Sequence, residues 1–352
     1  MARFIPEDDG GKIKPANYKH DYTPREMMEL VTCEDDIHYF LKNYAYIIHP
    51  TKGAMKFNTY DFQRRLLDNY IAYDRVICML PRQTGKTTTS CAYLFWKACF
   101  FSKQTILIAA NIGSTAKEIM ERIREMYMEC PWFLKPGLVV NNVHEMKFDN
   151  GSRIIAETTT KNTGRGKSIS VLYLDEFAYV NPGIQKEFWT SILPTISTGG
   201  QMIITSTPNN DEDKFANIWF GAEDANNSFE WKDDILEVLG IDGKRLAQKD
   251  YETVYETDKI KTEFEFMEAL QRGDLNKDEN EIGFKRFFVH WAEHPDRDES
   301  FKLKILSEGT DLSEWQREYE CLPGDTCIEV QDSHGRNIMM TIKELYDELG
   351  RM

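Results

Sequence analysis

No apolar run in the 352 residues approaches the roughly 20 that a helix needs to cross a bilayer. The N-terminus, MARFIPEDDGGKIK, also lacks the apolar core of a signal peptide. A soluble cytoplasmic protein with no membrane partner is therefore expected. The seven cysteines make no CxxC pair and no metal-ligand spacing. Several sit in apolar runs, where a thiol packs as a small hydrophobe, so a reduced intracellular setting fits better than a disulfide scaffold. His290 and His294 share i,i+4 spacing but have no matching third ligand, which argues against zinc. Positive charge is in deficit as well. A net charge of −15 argues against broad coating of nucleic acid and leaves a local contact surface or a basic partner domain. Apolar residues, at 41%, supply core enough for two ordinary domains or one large α/β domain.

The chain is organised around Arg75–Phe101, RVICMLPRQTGKTTTSCAYLFWKACFF. A short apolar run reads as a buried strand, PRQTGKT follows, and the rest is long and apolar enough for a helix. Gly85-Lys86-Thr87 match the end of GxxxxGK[ST]; Leu80 stands where the first glycine of that pattern belongs. The order of parts has a physical reason: the strand fixes the loop, and N–H groups at the helix N-terminus wrap phosphates. A lysine neutralises the β/γ oxygens and a threonine hydroxyl reaches Mg2+. On this reading Gln83, Thr84, Gly85, Lys86, Thr87 and Thr88 bind ATP. A second triplet, Gly166-Lys167-Ser168, precedes a strand pattern rather than a helix, so it has no helix N-terminus to offer phosphate.

Residues 1–22 are polar and rich in Gly, Pro and charge, which predicts a loose arm. A helical pattern covers Thr23–Ile48, with Thr23 as N-cap and Pro24 at the first helical position. TYDFQRRLLDNY predicts a helix just before the phosphate loop; on it Phe62-Gln63 resemble a Q motif, whose amide can bond both edges of adenine. TILIAAN and the amphipathic GSTAKEIMERIREMYMEC give a further strand and helix. Asn150-Gly151 between strand-like runs predicts a type I′ hairpin. VLYLDE then delivers Asp175 and Glu176 at a strand's C-terminal end, where open parallel sheets place ligands. Asp175 would hold Mg2+ through water and Glu176 would orient and deprotonate the attacking water. The bland alternative is a solvated acidic turn. A helix at about Gly183–Leu193 leads to QMIITSTPN, ending in Ser206-Thr207-Pro208, small hydroxyls placed to sense a γ-phosphate. From Asn209 to about Glu320 the texture becomes charged and aromatic, with a polar stretch at Gly273–Glu281, which predicts a smaller subdomain on the ATPase core.

The ordered set DFQ, PRQTGKT, VLYLDE and TSTPN resembles the ATPase half of the large terminase subunit of tailed phages, over roughly residues 30–320. The resemblance implies a P-loop α/β fold with a mainly parallel sheet and a lid-like subdomain (core 23–208, subdomain 209–320). It implies an ATP- and Mg2+-dependent motor moving dsDNA into a procapsid, assembled as a ring on the portal protein with the small terminase subunit, in the host bacterial cytoplasm. By the same resemblance Arg82 is an additional phosphate-contacting, charge-stabilising residue, Ser206-Thr207-Pro208 form the coupling motif, and Arg165-Gly166 match an RG pair. The family's nuclease half is not seen after QREYE. Instead CLPGDTCIEVQDSHGRNIMMTIKELYDELGRM resembles the first block of an intein, with a β-rich strand–turn–strand whose turn is expected at Asp332–Gly335. This implies that residues 321–352 are the N-terminal piece of a split intein. Cys321 would attack the carbonyl of Glu320, and a complementary intein–nuclease chain is the expected partner. Two competing readings are a helicase-like ATPase that translocates on nucleic acid without capsids, and a regulatory ATP-binding module. The modified loop start and QREYE separate the first from the packaging motor. Glu176 argues against the second, since binding alone needs no second carboxylate.

Overall fold

The computed structural model describes residues 11–49, 51–196, 199–209, 213–225, 283–310, 312–321, 327–331 and 337–341. The polar stretch Gly273–Glu281 and the expected turn Asp332–Gly335 lie outside the described residues. The chain divides into two compact units, Met1–Cys78 with Gly85–Ser206, and Met79–Thr84 with Thr207–Met352.

The first unit opens with α1 (Pro24–Asp35) and α2 (Ile37–Tyr44). Thr23 caps α1 through a reciprocal box: its hydroxyl accepts from the Glu26 N–H, and the Glu26 carboxylate accepts from the Thr23 N–H. The single helix expected over Thr23–Ile48 is interrupted at Asp36. That residue is extended, and its carboxylate accepts from the His38 and Tyr39 N–H groups to start α2; an N-cap outcompetes continued helix. The remainder of the expected helix is strand. β1 (Tyr46–His49) pairs antiparallel with β2 (Gly53–Lys56). α3 (Asp61–Ala72) then leads into β3 (Arg75–Met79), the phosphate loop and α4 (Lys86–Phe100).

The elements that follow are β4 (Thr105–Ala110), α5 (Gly113–Glu129), β5 (Leu138–Asn141), β6 (Glu145–Phe148), β7 (Arg153–Thr158), β8 (Val171–Asp175), α6 (Pro182–Ile196) and β9 (Gln201–Ser206). In this unit the strand order is β3-β9-β8-β4-β7-β6-β5. The β9–β8, β8–β4 and β4–β7 pairs are parallel, and an antiparallel edge is added by β6 and β5. Every residue of β8 and β9 is buried. That explains their continuous apolar runs, which central parallel strands covered on both faces require. The fold is α/β with a mainly parallel central sheet.

The β6–β7 hairpin forms as expected, but its turn is not type I′. Gly151 has a positive φ of 84° while Asn150 does not, and type I′ needs both. The Asn150 amide instead donates to the Ala98 carbonyl, 2.8 Å away, tying the loop to the end of α4.

Residues 11–18, within the segment expected to be a loose arm, lie against the core. Pro15 bridges Leu138 in parallel, and the Trp132 indole N–H donates to the Gly11 carbonyl. The buried Lys14 ammonium donates to the Trp132 and Lys135 carbonyls, each at 2.9 Å. Lys135 in turn donates to the carbonyls of Lys12 and Tyr127. Gly137 permits the approach, since a Cβ there would lie 2.3 Å from the Pro15 carbonyl oxygen.

In the second unit the described elements are α7 (Lys214–Gly221), β10 (Glu223–Asp224), β11 (Lys285–Phe288), α8 (Glu299–Ser307), α9 (Leu312–Trp315) and a π-helical turn, Gln316–Glu320. β10 and β11 pair in parallel. Trp291, Trp315 and Tyr319 form a buried aromatic cluster, the last two stacked with centroids 4.4 Å apart. β12 (Cys327–Gln331) and β13 (Asn337–Thr341) pair antiparallel. No helix among the described residues is long and apolar enough to cross a membrane.

Candidate functional site

Gly85 caps α4 in the left-handed region, φ 76°, which glycine enters without steric cost. The loop before it turns at Gln83, φ 59°. Gln63, on α3, is buried and its side-chain carbonyl accepts from the Tyr60 N–H at 3.1 Å. Its amide nitrogen faces the loop so closely that a Cβ on Gly85 would lie 2.7 Å away. The glutamine expected to read adenine is therefore packed on the phosphate loop.

From the first turn of α4, Lys86 reaches a point 2.6 Å from a Glu176 carboxylate oxygen. Its ammonium is buried and has no well-directed hydrogen bond. A buried cation so placed, at the N-terminus of a 15-residue helix, fits an anionic group between loop and carboxylate. Thr87 points its hydroxyl at Asp175, with 3.5 Å between oxygens. That is a long hydrogen bond, and a hydroxyl and carboxylate facing each other in this way match the donor set for Mg2+. Thr88 is engaged elsewhere, accepting from Arg122 at 3.2 Å.

Asp175 and Glu176 end β8 as expected. Asp175 is buried, and desolvation and then the neighbouring Glu176 charge push its carboxyl above the usual range; Lys86 and hydrogen bonds oppose this. Its Oδ1 accepts from the Tyr173 phenol at 2.7 Å and the Thr205 hydroxyl at 3.0 Å. Glu176 is left-handed, φ 51° and ψ 45°, a conformation costing a non-glycine residue roughly 1–3 kcal/mol. It is held from two sides, by Lys86 and by the Ser206 hydroxyl, which donates to its other oxygen at 3.3 Å. Ser206 also accepts from the Ala178 N–H. The buried Gln185 amide donates to the Phe177 and Val180 carbonyls, fixing the turn after Glu176. Thr205, Tyr173 and Gln185 were not among the expected site residues. Thr205 was within reach of sequence reasoning, because it precedes Ser206 and lies opposite Asp175 in the sheet register.

In the second unit Arg82 is fully engaged. Its guanidinium forms a bidentate pair with buried Glu318, and its N–H donates to the Glu318 carbonyl at 2.8 Å. Thr207 donates to the same carboxylate at 3.3 Å, and Arg297 donates to the Arg82 carbonyl at 2.8 Å. Thr84 is buried with its hydroxyl on the Pro81 carbonyl, and Pro208 is buried. Glu318 lies in QREYE, 236 positions from its partner, and no local pattern marks it. Of the other residues singled out, Lys167 pairs with Glu157 at 2.8 Å. Cys321 is buried with a left-handed φ of 57°.

Several solved structures similar to this chain are phage terminases. An arginine-to-alanine mutant of the large terminase ATPase domain of Thermus phage P74-26 matches with a TM-score of 0.51 and 16% identity, covering 76% of this chain and 94% of that one. The large terminase of bacteriophage HK97 matches with a TM-score of 0.47 and 16% identity, over 91% of this chain and 52% of that one. The first likeness shows a shared fold. The family model for the terminase large subunit, T4likevirus-type, N-terminal, matches residues 77–335, well over half of the chain. The match takes in the phosphate loop, Asp175-Glu176 and the Ser206 strand end, and the chain belongs to that terminase large-subunit family.

Proposed function

We propose that this chain is the ATPase motor of viral DNA packaging, hydrolysing ATP to drive dsDNA into a procapsid. One observation carries the reading: Lys86, Thr87, Asp175, Glu176 and Ser206 converge at the loop where β8 and α4 meet. Lys86 neutralises the β/γ-phosphate oxygens, and Glu176 then exchanges its lysine partner for a water. Held by Ser206, Glu176 orients that water towards the γ-phosphorus and takes its proton as the new P–O bond forms and the bond to ADP breaks. Mg2+, when bound, would neutralise charge on the phosphates, with Thr87 and Asp175 holding it. Arg82 acts as a phosphate contact only after release from Glu318. Ser206, Thr207 and Pro208 serve as the coupling motif, and each of the two hydroxyls already holds a carboxylate. Gln63 and Gly85 shape the nucleotide's seat.

On this reading its partners are dsDNA, the portal protein and the small terminase subunit, with a ring of copies on the portal. For residues 321–352 we propose a split-intein N-terminal fragment that joins Glu320 to a nuclease-bearing chain. Cys321 directly after QREYE and the antiparallel pair of β12 with β13 support it. The family match itself continues to residue 335, so that alignment does not separate tail from motor. A packaging assay with procapsids, portal and the completed motor tests the main reading. ATP-dependent protection of DNA from nuclease is expected. ATP-dependent strand separation without protection would favour the helicase-like alternative.

A further inference from the structure

We propose that Tyr173 is a positioning residue for metal binding: it fixes the Asp175 carboxylate in the orientation that, with Thr87, meets the cation. The inference rests on the reading of Asp175 as the Mg2+ ligand through water. Tyr173 lies two residues before Asp175 on β8, in a position that an ordinary buried strand fills with an aliphatic side chain. Its ring is buried in the sheet core, yet its hydroxyl joins two neighbouring strands. It donates to Asp175 Oδ1 at 2.7 Å and lies 2.9 Å from the Thr205 hydroxyl on β9.

The geometry is lopsided. Both donors from the sheet, Tyr173 and Thr205, and the long contact from Thr87 fall on Oδ1. Oδ2 takes no hydrogen bond from the described residues. A carboxylate fixed at one oxygen cannot rotate freely, so its orientation towards Thr87 is set. Outer-shell donors of this kind typically change metal affinity or activity by about 10–100-fold when removed.

The test is Mn2+ binding to the purified full chain with a non-hydrolysable ATP analogue, read by electron paramagnetic resonance. Analogue affinity in excess chelator is measured alongside. Tyr173→Phe, which removes one oxygen atom, is expected to raise the half-saturating Mn2+ concentration at least about 10-fold and to leave metal-free analogue affinity unchanged. Thr205→Val provides an independent variant should Tyr173→Phe not fold, and it is expected to shift Mn2+ in the same direction. Asp175→Asn separates the two layers of the argument. If Asp175→Asn loses Mn2+ while both donor variants bind it as wild type does, the positioning role is wrong and the reading of Asp175 stands. If Asp175→Asn also binds Mn2+ normally, both fail. An equal loss of metal-free analogue affinity in Tyr173→Phe would mark it as structural support for the loop and overturn the proposal.

Discussion

At the scale of single residues, three consecutive side chains divide the work at the end of β9. Thr205 holds Asp175, Ser206 holds Glu176, and Thr207 holds Glu318. Here the hydroxyls expected to sense phosphate each hold a carboxylate. Ser206→Ala removes the hydrogen bond to a glutamate already in a strained backbone conformation. It should lower the ATP turnover rate roughly 10-fold or more, a loss of about 1.4 kcal/mol in the transition state, with nucleotide affinity kept. Parallel turnover and equilibrium-binding measurements check this; a loss of binding equal to that of Lys86→Ala would show that Ser206 serves the phosphate seat. His290 gives a pH prediction for the second unit. Burial, aided by the Lys302 charge, pushes its imidazole down to about 4. The folded state then favours the neutral ring, so stability is fully present above the unfolded value near 6.5 and falls as pH drops towards 4. The loss across that window is of order 3 kcal/mol. His290→Asn keeps a cap acceptor for the Ala292 N–H without titrating, and should flatten the acid side of a denaturant-stability profile between those pH values.

Among the elements, what was legible in the sequence was local. β3, the loop and α4 form a strand–loop–helix whose signals lie within 27 consecutive residues, and VLYLDE carries its burial and its carboxylates in one run. Capping was legible as well, since Thr23 and Glu26 stand at the box spacing. Thr23→Ala should cost about 1 kcal/mol of stability, measurable as a lowered denaturation midpoint with unchanged cooperativity. The break at Asp36 was missed because the apolar period continues across it, and only the side chain's choice of two downstream N–H groups ends one helix and starts the next. The Asn150 turn was misassigned for a related reason: its amide finds a better partner on α4 than in the turn. Long-range polar fixings had no local signature. Lys14 on Trp132, Gln63 against Gly85, Tyr173 on Thr205 and Arg82 on Glu318 each join distant positions. Gly85→Ala joins both kinds of evidence, since it places a Cβ at positive φ and against the Gln63 amide. Nucleotide affinity should fall by about 10-fold or more, corresponding to the roughly 1–3 kcal/mol of strain, as read by titration with a fluorescent ATP analogue.

For the whole molecule, the −15 net charge makes unassisted, high-affinity DNA coating a poor expectation. It fits a motor that meets DNA within an assembly of other chains. The tail reading belongs to this scale too. Mixing the chain with the complementary intein–nuclease fragment should release the segment from Cys321 onward and yield a longer product by mass spectrometry. Cys321→Ala should abolish ligation and leave ATP hydrolysis intact. An associated but unligated pair under reducing conditions would contradict it. The central claim is that the carboxylate gripped by Lys86 and Ser206 is the base of an ATP hydrolase. Its most direct test compares phosphate release with ATP binding in wild type and Glu176→Gln. The account predicts that the amide variant binds ATP within a few-fold of wild type while turnover falls about 100-fold or more. Wild-type turnover by Glu176→Gln would contradict it.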